Sequence, residues 1–314
     1  VARNVIFRLL QAIPVILLVA ILAFVLMHML PGDPAVVMAG PDASPEAIDK
    51  LRHQLGLDRP IWEQLIAWLG NLARGDFGQS LMLNQGVFSA VIARLPVTLS
   101  LALLAFAITV PVGIALGIIA AYYRNTWIDS AVMGVALIGV SIPSFWIAII
   151  SVIVFSVELR WLPSSGYAPL SQGFGPWLRS MVQPAAILAL FQIGYLARMT
   201  RSSMLDVLDQ DYIRTARAKG LNEWVTIGKH AFRNSLMSVV TVSGIILSLL
   251  IGGSVVIEQV FALPGIGRLV VQGIMARDYP LIQGTMLLLG FAFVLVNVCV
   301  DLAYTLVDPR VRYD

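Results

Sequence analysis

The chain has 314 residues, 58% of them hydrophobic and 12% charged, with a mean hydropathy of +0.85 and a formal net charge of +3. That balance excludes an ordinary soluble domain, in which charged residues make up about a quarter of the chain. The charge is small and no basic face is interleaved with aromatics, which excludes nucleic acid as a partner.

Six apolar runs are long enough, at about 1.5 Å per residue, to cross about 30 Å of hydrocarbon. They cover roughly 9–30, 97–122, 131–157, 181–197, 236–257 and 281–306. The predicted fold class is therefore an all-α integral membrane protein, one transmembrane domain over 1–314 with six helices embedded in a lipid bilayer. The first run, after Arg3 and Arg8, could pass for a secretion signal. It exceeds the about 7–15 residues of a signal core, and Val37-Met38-Ala39 makes a poor cleavage site, so it is expected to stay as a span. His28 near its end could ligate a metal or a proton, but without clustered partners it reads as simply hydrogen-bonded, and no metal site is expected.

An insertion at 31–96 separates the first two runs and looks ordered. Ala47, Ile48, Leu51 and Leu55 have helical spacing, and Gly56 supplies a stop. Ile61, Leu65, Trp68, Leu69 and Leu72 form a second stripe after Pro60. Two compatible roles are open: a cap on the spans and a docking surface for an external protein.

Gly113 and Gly117 in the second run form a GxxxG pair, which suits close helix packing. Ser141-Ile-Pro-Ser144 interrupts the third run, where Pro143 frees a backbone carbonyl and marks a kink or a cavity wall. Gln192 in the short fourth run could face a translocation path. So could Ser141, Ser144, Thr241 and Ser248, although the stripe Thr241, Gly244, Ser248 and Gly252 also fits tight packing. Glu258 and Asp278 fall in loops next to the fifth and sixth runs and could border an outer gate. Asp301, inside the sixth run, is expected to pair with an arginine such as Arg198. The one cysteine, Cys299, rules out a disulfide framework.

Twelve Lys and Arg residues lie at the termini and the loops on one side. The short loops of the other side hold four, Arg160, Arg179, Arg268 and Arg277. Positive charge favours the cytoplasm, which places both termini there and 31–96 outside. The loop 198–234 carries seven basic and four acidic residues. Within it, Asp209 or Asp211 could cap a helix start, and Gly220 suits the left-handed residue that ends one. Tyr212, Ile213 and Ala216 fall on one side and are expected to be buried, with Arg214 and Arg217 on another. A second helix is expected from Asn222, with Trp224, Ile227 and Ala231 on its buried stripe. Such an island is either a solvated positive loop or a helix offered to a soluble partner. The capping signals at both ends favour the partner.

Asp211-Tyr-Ile-Arg-Thr-Ala-Arg-Ala-Lys-Gly-Leu221, followed by His230-Ala-Phe-Arg-Asn234, resembles the cytoplasmic signature of binding-protein-dependent ABC importer permeases, in the form found in the peptide and nickel subfamily. The chain keeps Ala216 and Gly220 of the general signature but has Arg214, Thr215 and His230 where that signature has Glu, Ala and Ile. His28-Met-Leu-Pro-Gly-Asp-Pro34, Leu55-Gly-Leu-Asp-Arg-Pro60, Gly75-Asp-Phe-Gly78, Met199-Thr-Arg-Ser-Ser-Met204, Pro264-Gly-Ile-Gly-Arg268, Arg277-Asp-Tyr-Pro280 and Asp308-Pro-Arg310 are similar to the same subfamily in the same order. The resemblance is to the first permease subunit of dipeptide and glutathione systems.

The resemblance implies a type I importer permease in the bacterial plasma (inner) membrane. Its partners would be a related second permease subunit, two cytoplasmic ATPase subunits and an extracytoplasmic substrate-binding protein. Cargo would be di- or oligopeptides or glutathione, with nickel or another small solute as the alternative. Arg214, Thr215, Ala216, Arg217, Ala218, Lys219, Gly220 and Leu221 would form the ATPase-coupling contact. ATP and Mg2+ would belong to the ATPase partners. The three lysines, Lys50, Lys219 and Lys229, fit no phosphate-cradling glycine loop, so the chain itself is expected to be no enzyme, with no catalytic residue and no cofactor of its own. The competing class is an ion-gradient-driven secondary transporter, which calls for repeated halves or charged relays at mid-membrane. Neither is present in the sequence.

Overall fold

A computed structural model describes residues 2–29, 33–40, 43–54 and 56–307. Among the described residues, the regular structure is helical apart from one hairpin of two-residue strands. The chain divides into two compact units, one formed by Val1–Pro96 with Gly265–Val298 and the other by Val97–Pro264 with Cys299–Asp314.

In the first unit, α1 (Ala2–Met29) is followed by α2 (Pro34–Ala39), α3 (Pro45–Gln54) and α4 (Ile61–Ala73). Asp33 caps α2 by accepting from the Ala35 amide, and Arg52 of α3 donates to the same carboxylate at 2.6 and 3.1 Å. That guanidinium holds the Asp33 carboxyl below the usual carboxylate range. Gly56 takes a φ of +67° after α3, the left-handed stop its position suggests. Leu65, Trp68, Leu69 and Leu72 are half-buried as the stripe requires, whereas Ile61 is exposed. His28 is hydrogen-bonded to the Phe24 carbonyl and to Gln64 of α4, at 2.9 and 3.2 Å. The hairpin pairs β1 (Gln79–Ser80) with β2 (Gln85–Gly86) and leads into α5 (Val87–Tyr122). Val87, Ala90 and Val91 at the start of α5 form a core with Ile266 and Leu269 of α12 (Ile266–Ala276) and Leu281 of α13 (Tyr279–Val307).

In the second unit, α6 (Trp127–Ser141) and α7 (Ser144–Ser151) are bent by 95° across the Ser141–Ser144 break. Pro143 cannot donate to the helix ladder and holds Ile142 in extended backbone, so the helix stops and restarts. A π-helical segment (Val152–Glu158) continues α7. Then α8 (Phe174–Leu208) runs for 35 residues, against the short span expected at 181–197. Hydropathy marks only its apolar middle; the polar residues at both ends keep the helical backbone. It packs against α6 and α11 (Arg233–Val260). A Cβ on Gly113 would lie 2.9 Å from Leu196, one on Gly117 2.5 Å from Thr200, and one on Gly194 2.6 Å from the Ala136 carbonyl. The GxxxG pair therefore brings α5 close to α8, as small residues do in lipid.

Among the described residues, four helical runs are long and apolar enough to cross a membrane: Val87–Tyr122, Phe174–Leu208, Glu223–Val260 and Tyr279–Val298. The bent α6–α7 pair would make a fifth. The first expected run falls in α1, whose apolar part extends over Ile13–Leu26. The Asp301 side chain and the motif Asp308-Pro-Arg310 lie outside the described part of the chain.

Candidate functional site

The loop between α8 and α11 folds into α9 (Asp211–Ala218), α10 (Glu223–Val225) and a π-helical segment (Thr226–Phe232) that runs directly into α11. Eight residues make too short a helix to stand alone in water, so α9 depends on its base. Ile213 and Ala216, three apart, are its buried residues. Ile213 packs into a core with Ala121, Met204, Ile227 and Ala231, flanked by Ile118, Leu205, Val207, Leu208 and Phe232. The floor beneath α9 is thus built from the end of α5, the end of α8 and the π-helical segment.

The other face is open. Arg214, Thr215, Arg217, Ala218, Lys219, Gly220 and Leu221 are all exposed. Arg217 reaches across the glycine corner to Glu223 at 2.8 and 3.3 Å. Asn234 donates to the Tyr212 hydroxyl at 2.8 Å and so ties the start of α9 to the start of α11. Gly220 turns the chain with a φ of +78°. A peptide unit closed this way leaves the last carbonyls of α9 satisfied, with Gly220 N–H on Arg217 and Leu221 N–H on Ala216.

Several local expectations are corrected. Neither Asp209 nor Asp211 caps α9. Gln210 holds the cap position without a side-chain bond, Asp211 is already helical, and Asp209 accepts from Arg124. Tyr212 and Trp224, expected to be buried, are 43% and 83% exposed. The aromatic rings fit the apolar stripes by spacing, but Ile213 and Ile227 fill the small core instead. Asn222 does start the second helix, accepting from the Trp224 amide at 3.0 Å.

The remaining predicted residues are scattered. Ser141, Ser144 and Thr241 are exposed on helix surfaces, while Ser248 and Gln192 are buried. Gln192 Oε1 is a buried acceptor for which the structure offers no hydrogen-bond partner. Glu258 lies within α11 and not in a loop; it is 0% exposed and accepts from Thr98 and Ser254 at 2.8 and 3.0 Å. Asp278 joins α12 to α13 and is buried, accepting from the Ser80 hydroxyl, the Met82 amide and the Leu281 amide at 2.6, 2.9 and 3.1 Å. Its carboxylate fastens the hairpin to the α13 start. Among the described residues no three His, Cys, Asp or Glu side chains gather as a metal site.

The sequence reading missed the polar ties around α9. Arg201 of α8 meets Asp129 of α6 through two bonds of 2.6 Å, and Arg124 meets Asp209. An acid and a base placed at the same membrane side of neighbouring spans are the only signal that could have suggested them.

The model of the family described as binding-protein-dependent transport system inner membrane component matches residues 113–313, and the model of its N-terminal part matches residues 1–102. A protein of Brucella abortus (strain 2308) named as a peptide transport system permease is 64% identical over 307 residues, 98% of either chain. The glutathione transport system permease protein GsiC of Escherichia coli (strain K12) is 43% identical over 306 residues, covering 98% of this chain and 97% of its own. Among solved structures, the inward-facing MetNI methionine ABC transporter matches with a TM-score of 0.58 at 19% identity, over 70% of this chain and 97% of the other. That likeness concerns the fold.

Proposed function

The chain belongs to the binding-protein-dependent transport system inner membrane components, and on that premise we propose that it is the permease through which an ATP-driven ABC importer passes peptides or glutathione. The cargo follows from the peptide and glutathione permeases it resembles over nearly its whole length. The energy enters through partner ATPases that hold ATP and Mg2+, and the contact with them is α9. One observation carries that assignment: α9 is anchored by Ile213 and Ala216 on one face and presents Arg214, Thr215, Arg217, Lys219 and Leu221, exposed, on the other.

The excess of Lys and Arg on one side supports a cytoplasmic position for α9 and both termini, with 31–96 outside. An external binding protein delivers cargo on that outer side, and a related second permease completes the path. Ser141, Ser144 and Thr241, exposed on helix surfaces, suit the path. Gln192 and Ser248 are packed between helices in this arrangement and would reach cargo only after a rearrangement. Closure of the ATPases shifts the balance between the two arrangements because they grip α9 differently in each.

The test is gentle purification from the native membrane, followed by reconstitution into vesicles. Recovery with a sister permease and ATPases, and ATP-dependent uptake of glutathione or a dipeptide, is the expected result. Uptake driven by an ion gradient, without ATPase companions, would overturn the proposal.

A further inference from the structure

Two ion pairs of opposite polarity join the turn between α5 and α6 to the last part of α8. Asp129, in the first turn of α6 and 5% exposed, accepts from Nε and Nη2 of Arg201, both at 2.6 Å, and from the Asn125 amide at 3.1 Å. Eight residues after Arg201, Asp209, which caps the end of α8, accepts from Arg124 at 2.9 and 3.2 Å. The first pair has its acid on the turn, the second has its acid on α8. The turn between them is tight, with Asn125 at a φ of +62° and the Thr126 amide bonded to the Tyr123 carbonyl at 3.1 Å.

The placement of these pairs matters more than their number. Met204 and Leu205, which seat Ile213 of α9, lie between Arg201 and Asp209. The seat is therefore flanked by two contacts with the α5–α6 corner, a buried one at Arg201 that holds it and an exposed, weaker one at Asp209. A bidentate fork fixes angle as well as distance. The reversed polarity also fixes register, since sliding the turn along α8 would bring acid toward acid and base toward base. A buried ion pair is a weak source of stability, so fixing geometry is the role this fork suits.

We propose that this double clasp makes the α5–α6 corner part of the transmission, with Asp129 and Arg201 as its positioning residues. Force on α9 then moves α6 together with α8, and does not pass only to α8 and α11, the two helices that flank the α9 loop in the chain. The proposal rests on α9 being the ATPase contact.

The experiment uses the whole reconstituted importer. It measures cargo taken up per ATP hydrolysed, with glutathione and alanyl-alanine as probes, together with the stimulation of hydrolysis by the external binding protein. Arg201→Lys keeps the charge and loses the fork, so it should assemble normally while both ratios fall by about 2- to 30-fold. Asp129→Asn should fall further, and the exchange Asp129→Arg with Arg201→Asp should recover part of the loss. An assembled Arg201→Lys complex with unchanged ratios would overturn the proposal. So would an Asp129→Asn variant that only lowers the amount of complex, its surviving molecules remaining fully coupled. Gly220→Val in parallel shows which idea has failed: if it uncouples and Arg201→Lys does not, the clasp is wrong and the α9 assignment stands.

Discussion

Replacing Gly220 tests the coupling role through one backbone angle. Gly220 holds a φ of +78°, and a Cβ built there meets nothing within 4 Å. Steric contact with the rest of the chain is therefore absent from the cost, and only the conformational term remains. For an ordinary L-residue in the left-handed region that term is about 1–2 kcal/mol, and Asn escapes part of it through its local hydrogen bonding. A β-branched residue at positive φ is worse still. A penalty of about 1–2 kcal/mol shifts the population of the turned-back corner by about 5- to 30-fold. The expected order is Gly, then Asn, then Ala, then Val, both in uptake per ATP hydrolysed and in hydrogen-exchange protection of residues 211–221. The complex should still assemble, because Ile213 and Ala216 keep their core. Val performing like Gly would refute the reasoning. Asn performing worse than Ala would also refute it, since the deciding quantity would then be side-chain bulk against a partner and not the angle.

Three further outcomes follow from the packing and the charges. Gly117→Ala should destabilise by about 1–3 kcal/mol, the usual range for overpacking, because its Cβ would face the Thr200 Cβ at 2.5 Å and the Ala197 carbonyl at 2.7 Å. Gly113→Ala should cost less, since it meets only the Leu196 side chain; equal melting temperatures for the two variants in detergent would contradict this. Gln192→Met removes an unpartnered buried acceptor, worth about 1–3 kcal/mol, so the described arrangement should melt higher while uptake falls if the amide finds its partner in the other arrangement. A lower melting temperature would mean that the amide is already satisfied. The Asp33 carboxyl is held low by the Arg52 hydrogen bond. A depressed folded-state value adds stability above the unfolded value of about 3.9 and loses it as pH falls through the folded one. Protection of α2 and α3 from proteolysis by an acid-active protease should hold down to about pH 4 and drop below it. The drop should vanish in Asp33→Asn, which starts from the lower level.

The legible parts of this fold are those in which one residue type answers one local demand. Gly56 and Gly220 stand where helices should stop, and both take the left-handed angle. Pro143 interrupts an apolar run, and the helix breaks there. Gly113 and Gly117 have the spacing of packing residues, and α8 lies against them. Of the six expected spans, four reappear as long apolar helices among the described residues and a fifth as the bent α6–α7 pair. Hydropathy missed their ends, because helical backbone continues past the apolar stretch wherever polar side chains can reach water. Hence α5 begins at Val87 and α8 extends from Phe174 to Leu208.

What the sequence could not display is which of two suitable side chains a small core takes. The floor under α9 has room for Ile213 and Ile227, so Tyr212 and Trp224 are left outside although they share the same stripes. The same limit hid Asp129 and Arg201, 72 positions apart, whose pairing depends on the packing of α6 against α8 and on no local pattern. Periodicity identifies a short helix and its buried face, whereas the polar contacts that surround it are long-range and become visible only once the helices are assembled. Spacing shows which face of α9 is buried, at Ile213 and Ala216, whereas the Asp129–Arg201 pair beside it depends on how α6 and α8 assemble.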